Sequence, residues 1–464
     1  MNISRRDAIK LFAGSVPAYY ATGALSLAAR GANAPAAATA PAAAIGLKDA
    51  YTGKFLIGCA GDLPGRYSEA ELANIKANYN IVTPENCMKP QGTQPSEGNF
   101  SFTTPDALVE WCQQNGIKVW GHTLCWHSQT PQFFFQGTRE EGLARLQKHI
   151  ETVAGHFAGK LLGWDVVNES INDAANEQSE NLRNSSWYRL VGNDVLNKAF
   201  EWAHKADPKA ILYYNDYNIE QHAADNKGKH PSSLLLLKRL LDEGAPIKGV
   251  GIQGHWHLDT RIENIEKAIL NYKALGLEVA VTELDVTATG TNSGAFNPGG
   301  AGGAGGGDRR GTRRGNTEGA TPPATGPGAM APSNARFSLA AFEGAAPGGA
   351  PAGGAPGGAG ARRGAGGGMG GMGGMGFGRR GGTPMTPEEQ AKVFQQQADV
   401  YKQIFEIFNR NADVVKRVTF WGISDTRTWR GGQNPLLFDG QLQPKPAFQA
   451  VIDVGLGKNA APKP

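Results

Sequence analysis

Eight short apolar runs along this chain alternate with longer amphipathic ones, and that alternation constrains the fold more than any other feature. The apolar runs are 55–59, 81–82, 118–120, 161–167, 211–214, 250–252, 279–281 and 418–421. Helical spacing covers 68–79, 104–114, 139–157, 187–206, 232–243, 262–275 and 388–411. Strands that alternate with helices pair in parallel, because a crossover helix carries the chain back to the starting edge. Eight such units are the number that closes into a (β/α)₈ TIM barrel. An open doubly wound sheet is the competing α/β solution. It calls for a glycine fingerprint opening a helix after the first strand, and GCAGDLPG at 58–65 has glycines without a helix directly on them.

Glycine use marks where the folded part stops. Of the 64 glycines, most crowd into 292–383, a Gly/Ala/Pro/Arg low-complexity insertion after strand seven, which includes GGMGGMGGMGFG. Without apolar periodicity such a segment cannot bury enough surface to offset its ordering entropy, so disorder is expected there. It is read as an inert loop, or as one whose arginines hold an acidic polysaccharide beside the site. Thr386, Pro387 and Glu389 then restart the fold with a helix N-cap, a first-turn proline and a capping box. Residues 1–34 place Arg5 and Arg6 before a modestly apolar stretch, resembling a twin-arginine export signal. The expected location is therefore periplasmic or secreted after cleavage, with no stable membrane span. Residues 35–46 form an Ala/Pro linker, 47–455 the folded domain and 456–464 a tail. Residues 1–34 contribute +3 and 292–383 contribute +6 to a formal net charge of +4, leaving about −5 for the rest. No basic stripe lies on a foldable segment, so nucleic acid is not an expected partner. Cys59, Cys87, Cys112 and Cys125 show no metal spacing and read as mostly buried thiols, with one disulfide left open. No metal or other cofactor is expected, and the protein is read as a monomer.

Chemistry collects where the strands end. WDVVNE carries an apolar strand into Asn168 and Glu169, and TELD places Glu283 and Asp285 after strand seven. In a parallel barrel those ends share one face. Strands four and seven lie across its mouth, so Glu169 and Glu283 can converge on one bond. Two facing carboxylates, one protonated and one ionised, are the equipment of glycoside hydrolysis. Taken singly, each Glu is as easily a helix cap or a surface ion pair. Two of them in amide and aromatic company are not.

The motifs TPENCMK, GHTLCWHSQTP, WDVVNE, YYNDYN, GIQGH, TELD and FWGISD together resemble glycoside hydrolase family 10, over nearly all of 48–455 outside the insertion. The resemblance implies a retaining endo-β-1,4-xylanase on a (β/α)₈ barrel, acting on xylan and xylo-oligosaccharides. It implies Glu169 as acid/base and Glu283 as nucleophile. Asn168 is the amide for the sugar 2-hydroxyl, and His255, steadied by Asp285, bonds the nucleophile. Gln253 reaches the same site. Glu85, Asn86 and Lys89 become a polar clamp on the glycone side, under Trp421 and Trp429. His122, Trp126 and Gln129 form the floor, and Asn215 and Tyr217 line the aglycone side. Departures stand at Phe133, where the family often has Trp, and at Pro90, where an aromatic is frequent. Both touch the rim and bear on chain-length preference. The alternatives are a hydrolase of another β-1,4-glycan, such as cellulose or mixed-linkage glucan, and a carbohydrate-binding homologue with a dead site.

Overall fold

Each apolar run becomes a strand hydrogen-bonded to the next in sequence, and the last closes on the first. The computed structural model describes residues 45–289 and 385–458. The export signal, nearly all of the linker, the insertion and most of the tail lie outside the described residues. The chain divides into a barrel unit, residues 1–292 with 392–464, and a second unit, 293–391. Of that second unit the description covers 385–391, the start of helix Pro387–Arg410.

The barrel strands are β1 Leu56–Ala60, β2 Ile81–Thr83, β3 Lys118–Trp126, β4 Gly163–Asn168, β5 Ile211–Asp216, β6 Gly249–Ile252, β7 Glu278–Thr287 and β8 Val415–Phe420. A short strand, His255–His257, extends the sixth unit and pairs with β7. All pairings are parallel, and closure runs through Leu56↔Arg417 between β1 and β8. The expected (β/α)₈ barrel is therefore what the chain forms. Two strands run six residues past the end of their apolar runs: β3 continues to Trp126 and β7 to Thr287. Hydropathy lost them because polar residues, His122 and Thr123 in β3 and Thr282, Glu283 and Asp285 in β7, interrupt the apolar pattern, yet pairing persists at Trp126↔Asn168 past a register irregularity.

Large rings fill the barrel interior. Ile81, Trp120, Tyr213 and Ala280 form a cluster separate from the outer core, and Trp120 meets Tyr213 edge-on at 4.9 Å. Glycine makes room for both: a Cβ on Gly163 would lie 2.6 Å from Trp120, and one on Gly249 2.4 Å from Tyr213. Above this layer the interior turns polar. Asp165 accepts from Trp120 Nε1 at 2.8 Å and from His122 Nδ1 at 3.0 Å, while Arg417 stands 3.8 Å from the same carboxylate.

Outside, helices cover the strands by one apolar stripe each. Helix Pro387–Arg410 buries Ala398, Tyr401, Ile404, Phe405 and Phe408, a spacing of three and four, and Phe405 stacks on Phe420 at 6.0 Å. Burying each such large side chain is worth about 1.5–3 kcal/mol. Its start is capped as the sequence predicts: Thr386 Oγ1 accepts from Glu389 N at 3.2 Å and Thr386 N donates to Glu389 Oε2 at 2.8 Å. The stretch expected as one helix over 187–206 is two, Ser186–Val191 and Val195–Ala206. Gly192, at φ +90°, ends the first, a conformation that side chains disfavour. All four cysteines are free, three of them buried.

Between β3 and β4, Gly121 lies beside Trp164, and a Cβ there would fall within 2.2–2.4 Å of the indole. Gly121→Ala is expected to destabilise the protein by about 1–3 kcal/mol through overpacking. Thermal or urea unfolding reads this, and an unchanged midpoint would contradict the packing described.

Candidate active site

The carbonyl ends of the strands carry side chains that cannot all be buried unless they bond one another, and they do so around two carboxylates. Glu169 follows the last residue of β4 and is 4 % exposed; Glu283 lies within β7 and is 6 % exposed. Glu169 has a left-handed backbone, φ +57°, which is costly for a residue with a Cβ and is found where surroundings enforce it.

Neutral donors hold the Glu169 carboxyl. Trp126 Nε1 donates to Oε2 at 2.9 Å, Gln253 Nε2 to Oε1 at 2.9 Å, and Asn168 Nδ2 to Oε1 at a longer 3.3 Å. Asn168 Oδ1 in turn accepts from Gln253 Nε2 at 3.3 Å and from Asn215 Nδ2 at 3.0 Å. The Asn215 amide also donates to Glu283 Oε1 at 2.9 Å, and its own oxygen accepts from Thr282 Oγ1 at 2.6 Å. One continuous run of amides thus links the two carboxylates.

Glu283 has charged company as well. His255 Nε2 lies 3.4 Å from Oε2, while its Nδ1 is 2.9 Å from Asp285 Oδ2. Trp429 Nε1 donates to that same Asp285 oxygen at 3.0 Å, and Arg430 Nε stands 3.2 Å from the other. Burial alone would push His255 down, but Asp285 and Glu283 reverse that and carry it up to about 9. Burial alone would push Glu283 up. The hydrogen bond from His255, with the charges of His122, His255 and Lys89, instead holds it below the usual carboxylate range. At neutral pH Glu283 is ionised beside an imidazolium.

The remaining predicted residues are placed as follows. Lys89 is buried, with its ammonium 3.4 Å from Asn86 Oδ1 and 4.9 Å from the Trp126 ring. Burial pushes it down, against the pull of Glu283, Glu85 and Glu169. Glu85 is half-buried and pushed up by burial and by Asp62; Asn86 is exposed. His122 is buried and meets Trp421 edge-on at 5.4 Å. Trp126 is buried too, whereas Gln129, expected in the floor, stands exposed on the loop after β3. Trp421 is buried and Trp429 is 44 % exposed over His255. Asn215, expected on the aglycone side, is wholly buried between Asn168 and Glu283, because its amide completes the run between the carboxylates. Tyr217 is buried, its hydroxyl donating to Asp173 at 2.8 Å and accepting from Arg183 at 2.8 Å. Among the described residues no group of three His, Cys, Asp or Glu side chains is arranged to hold a metal ion.

Sequence reasoning passed over Asp165, Thr282, Arg183 and Arg430. Asp165 did leave a signal, a carboxylate alternating inside an apolar strand. The others come from loops or look like ordinary strand polars.

Compared with known proteins, residues 46–301 and 383–454 match the family described as Glycosyl hydrolase family 10. A β-1,4-xylanase of Dictyoglomus thermophilum is 33% identical over 88% of this chain and 90% of its own length. An exoglucanase of Acetivibrio thermocellus is 31% identical over 88% of this chain but only 29% of its own length. A mutant of the intracellular xylanase TsXylA from Thermoanaerobacterium saccharolyticum, solved in complex with xylotriose, is 31% identical. It superposes with a TM-score of 0.62 over 87% of this chain and 97% of that one.

The charge arrangement has consequences for titration. His255 binds its proton more tightly folded than unfolded. Its contribution to stability is therefore complete below about pH 6.5 and is lost as pH rises through about 9. Glu283 acts oppositely: its contribution is present above the ordinary carboxylate range and is lost as pH falls through its depressed folded value. In Asp285→Asn the His255 imidazole, followed by NMR, is expected to titrate well below its native value of about 9. An unmoved His255 titration would remove Asp285 as the cause.

Proposed function

This chain belongs to glycosyl hydrolase family 10, and from that premise we propose that it is a retaining endo-β-1,4-xylanase that cleaves internal xylosidic bonds by double displacement. The observation that carries the proposal is the run of amides that seats Glu169 and Glu283 in one buried cleft, one among neutral donors and the other beside an imidazolium.

The roles follow from those neighbours. Glu283, kept ionised, attacks the anomeric carbon, and the positive charge of His255 and Lys89 favours the anion before attack. Glu169 gives a proton to the departing oxygen. A covalent xylosyl-enzyme results. Glu169, now a base, takes a proton from water, which enters on the face the leaving group vacated, and the product keeps its β configuration. Retention requires the carboxyl groups to stand about 5–5.5 Å apart rather than about 6.5–9.5 Å. Amides bonded to both carboxylates, and sharing one acceptor on Asn168, favour such a short separation.

Asn168 can exchange its long 3.3 Å bond to Glu169 for the sugar 2-hydroxyl, a group whose hydrogen bonds contribute to transition-state stabilisation in glycoside hydrolysis. His122 and Lys89 offer donors to the ring hydroxyls of the glycone, joined by Glu85 and Asn86 toward its non-reducing end. Trp421 and Trp429 offer apolar faces to the C–H surface of the sugar. Gln253 keeps the acid/base carboxyl in line. With Trp126 it forms the wall through which the proton donor is aimed.

Reducing-sugar release from xylan against carboxymethylcellulose tests the substrate assignment, with xylan strongly preferred. Glu169→Gln is expected to lower xylan turnover by about 10²–10⁴-fold. Glu283→Ala should abolish it, and azide should restore turnover of an activated aryl xylobioside with an α-xylobiosyl azide product. Substantial hydrolysis by Glu283→Ala without azide, or a native enzyme that binds xylan and releases nothing, is the result that refutes the proposal.

A further inference from the structure

We propose that Arg183 is the positioning residue that locks the left-handed peptide carrying Glu169, and so aims the proton donor. The inference rests on the reading of Glu169 as the acid/base.

A left-handed residue with a Cβ persists only when the surrounding bonds leave it no alternative. Those around Glu169, Ser170 and Ile171 can be accounted for completely. Glu169 N donates to Asn215 O at 2.9 Å. Ser170 N donates to Tyr214 Oη at 3.1 Å, and Ile171 N to Asp216 Oδ2 at 3.3 Å. The three carbonyls have a single source. Arg183 Nε donates to Glu169 O at 3.0 Å, Arg183 N to Ser170 O at 2.7 Å, and Arg183 Nη2 to Ile171 O at 3.0 Å. One residue therefore satisfies every acceptor of the turn.

Arginine suits this place because its planar fork presents two N–H groups at fixed spacing to two carbonyls. Lysine offers one point of attachment. The far side of the guanidinium is itself fixed. Nη2 also donates to Tyr217 Oη at 2.8 Å, and Nη1 pairs with Asp173 at 3.5 Å. Through Tyr217 the clamp ties the loop after β4 to the loop after β5. Its side chain is 15 % exposed, so water is a poor substitute. Trp126 and Gln253 hold the Glu169 carboxyl by its oxygens, but they meet it only if the peptide beneath is in place.

A misplaced acid harms only the steps that need its proton, which separates positioning from stability. In Arg183→Met, kcat/KM on xylan is expected to fall about 10²-fold, the size that a 1 Å misplacement costs. On 2,4-dinitrophenyl β-xylobioside, whose leaving group needs no proton, kcat/KM should stay within about threefold while kcat falls. Azide should then raise kcat and yield β-xylobiosyl azide, since azide attacks the xylobiosyl-enzyme without a base. Arg183→Lys should show the same split in milder form and decides the matter if the methionine variant fails to fold. Equal losses on both substrates, no loss on either, or collapse of the lysine variant as well, overturns the proposal. Glu169→Ala is the reference. If it shows the azide signature and the Arg183 variants do not, this inference alone fails; if the native protein cleaves neither substrate, the xylanase reading fails first.

Discussion

The carboxamide oxygen of Asn168 is the point on which the site turns. It accepts from Gln253 and Asn215 together, and those two amides are the ones that reach Glu169 and Glu283. A buried amide oxygen has two lone pairs, and here both are committed. Neither carboxylate can shift without stranding a buried donor, and an unpaired buried polar group is expensive. Separation between the two carboxyl groups is thereby set by neutral groups.

Cations are present, but placed elsewhere in the same wall. Glu283, His255, Asp285 and Arg430 alternate in sign along the β7 side. Alternation lets a buried histidine stay protonated and a buried glutamate stay ionised, because each is flanked by its opposite. Lys89 repeats the device, with Glu283 and Glu85 as its opposites. On the Glu169 side the contacts to the carboxyl are all neutral. The two halves of the cleft thus differ in electrostatic character while sharing one scaffold of amides, which is what two carboxylates with different duties require.

Much of this was legible before any coordinates. Eight alternating runs announced the barrel, and polar residues at successive strand ends marked the face where the site lies. Hydropathy misjudged β3 and β7, because their upper halves are interrupted by polar residues that bond inside the barrel instead of facing water. Gly192 was unremarkable in a helical pattern, since a single glycine breaks a helix only where the chain uses its positive φ. Asn215 could be assigned to the active-site end but not to its position there; a strand-end amide looks alike whether it meets a sugar or a neighbour. Arg183 left no trace at all, as its partners on the Glu169 turn are main-chain carbonyls and carry no residue identity.

Trp429 is 44 % exposed, yet its ring nitrogen is bonded to the wholly buried Asp285. An indole at the mouth is therefore wired to the imidazolium behind it, and through that to the anion at Glu283. Whatever presses on the ring alters how Asp285 divides itself between two donors. By thermodynamic reciprocity, whatever the ring binds and the proton held on His255 influence each other, although the indole itself does not ionise.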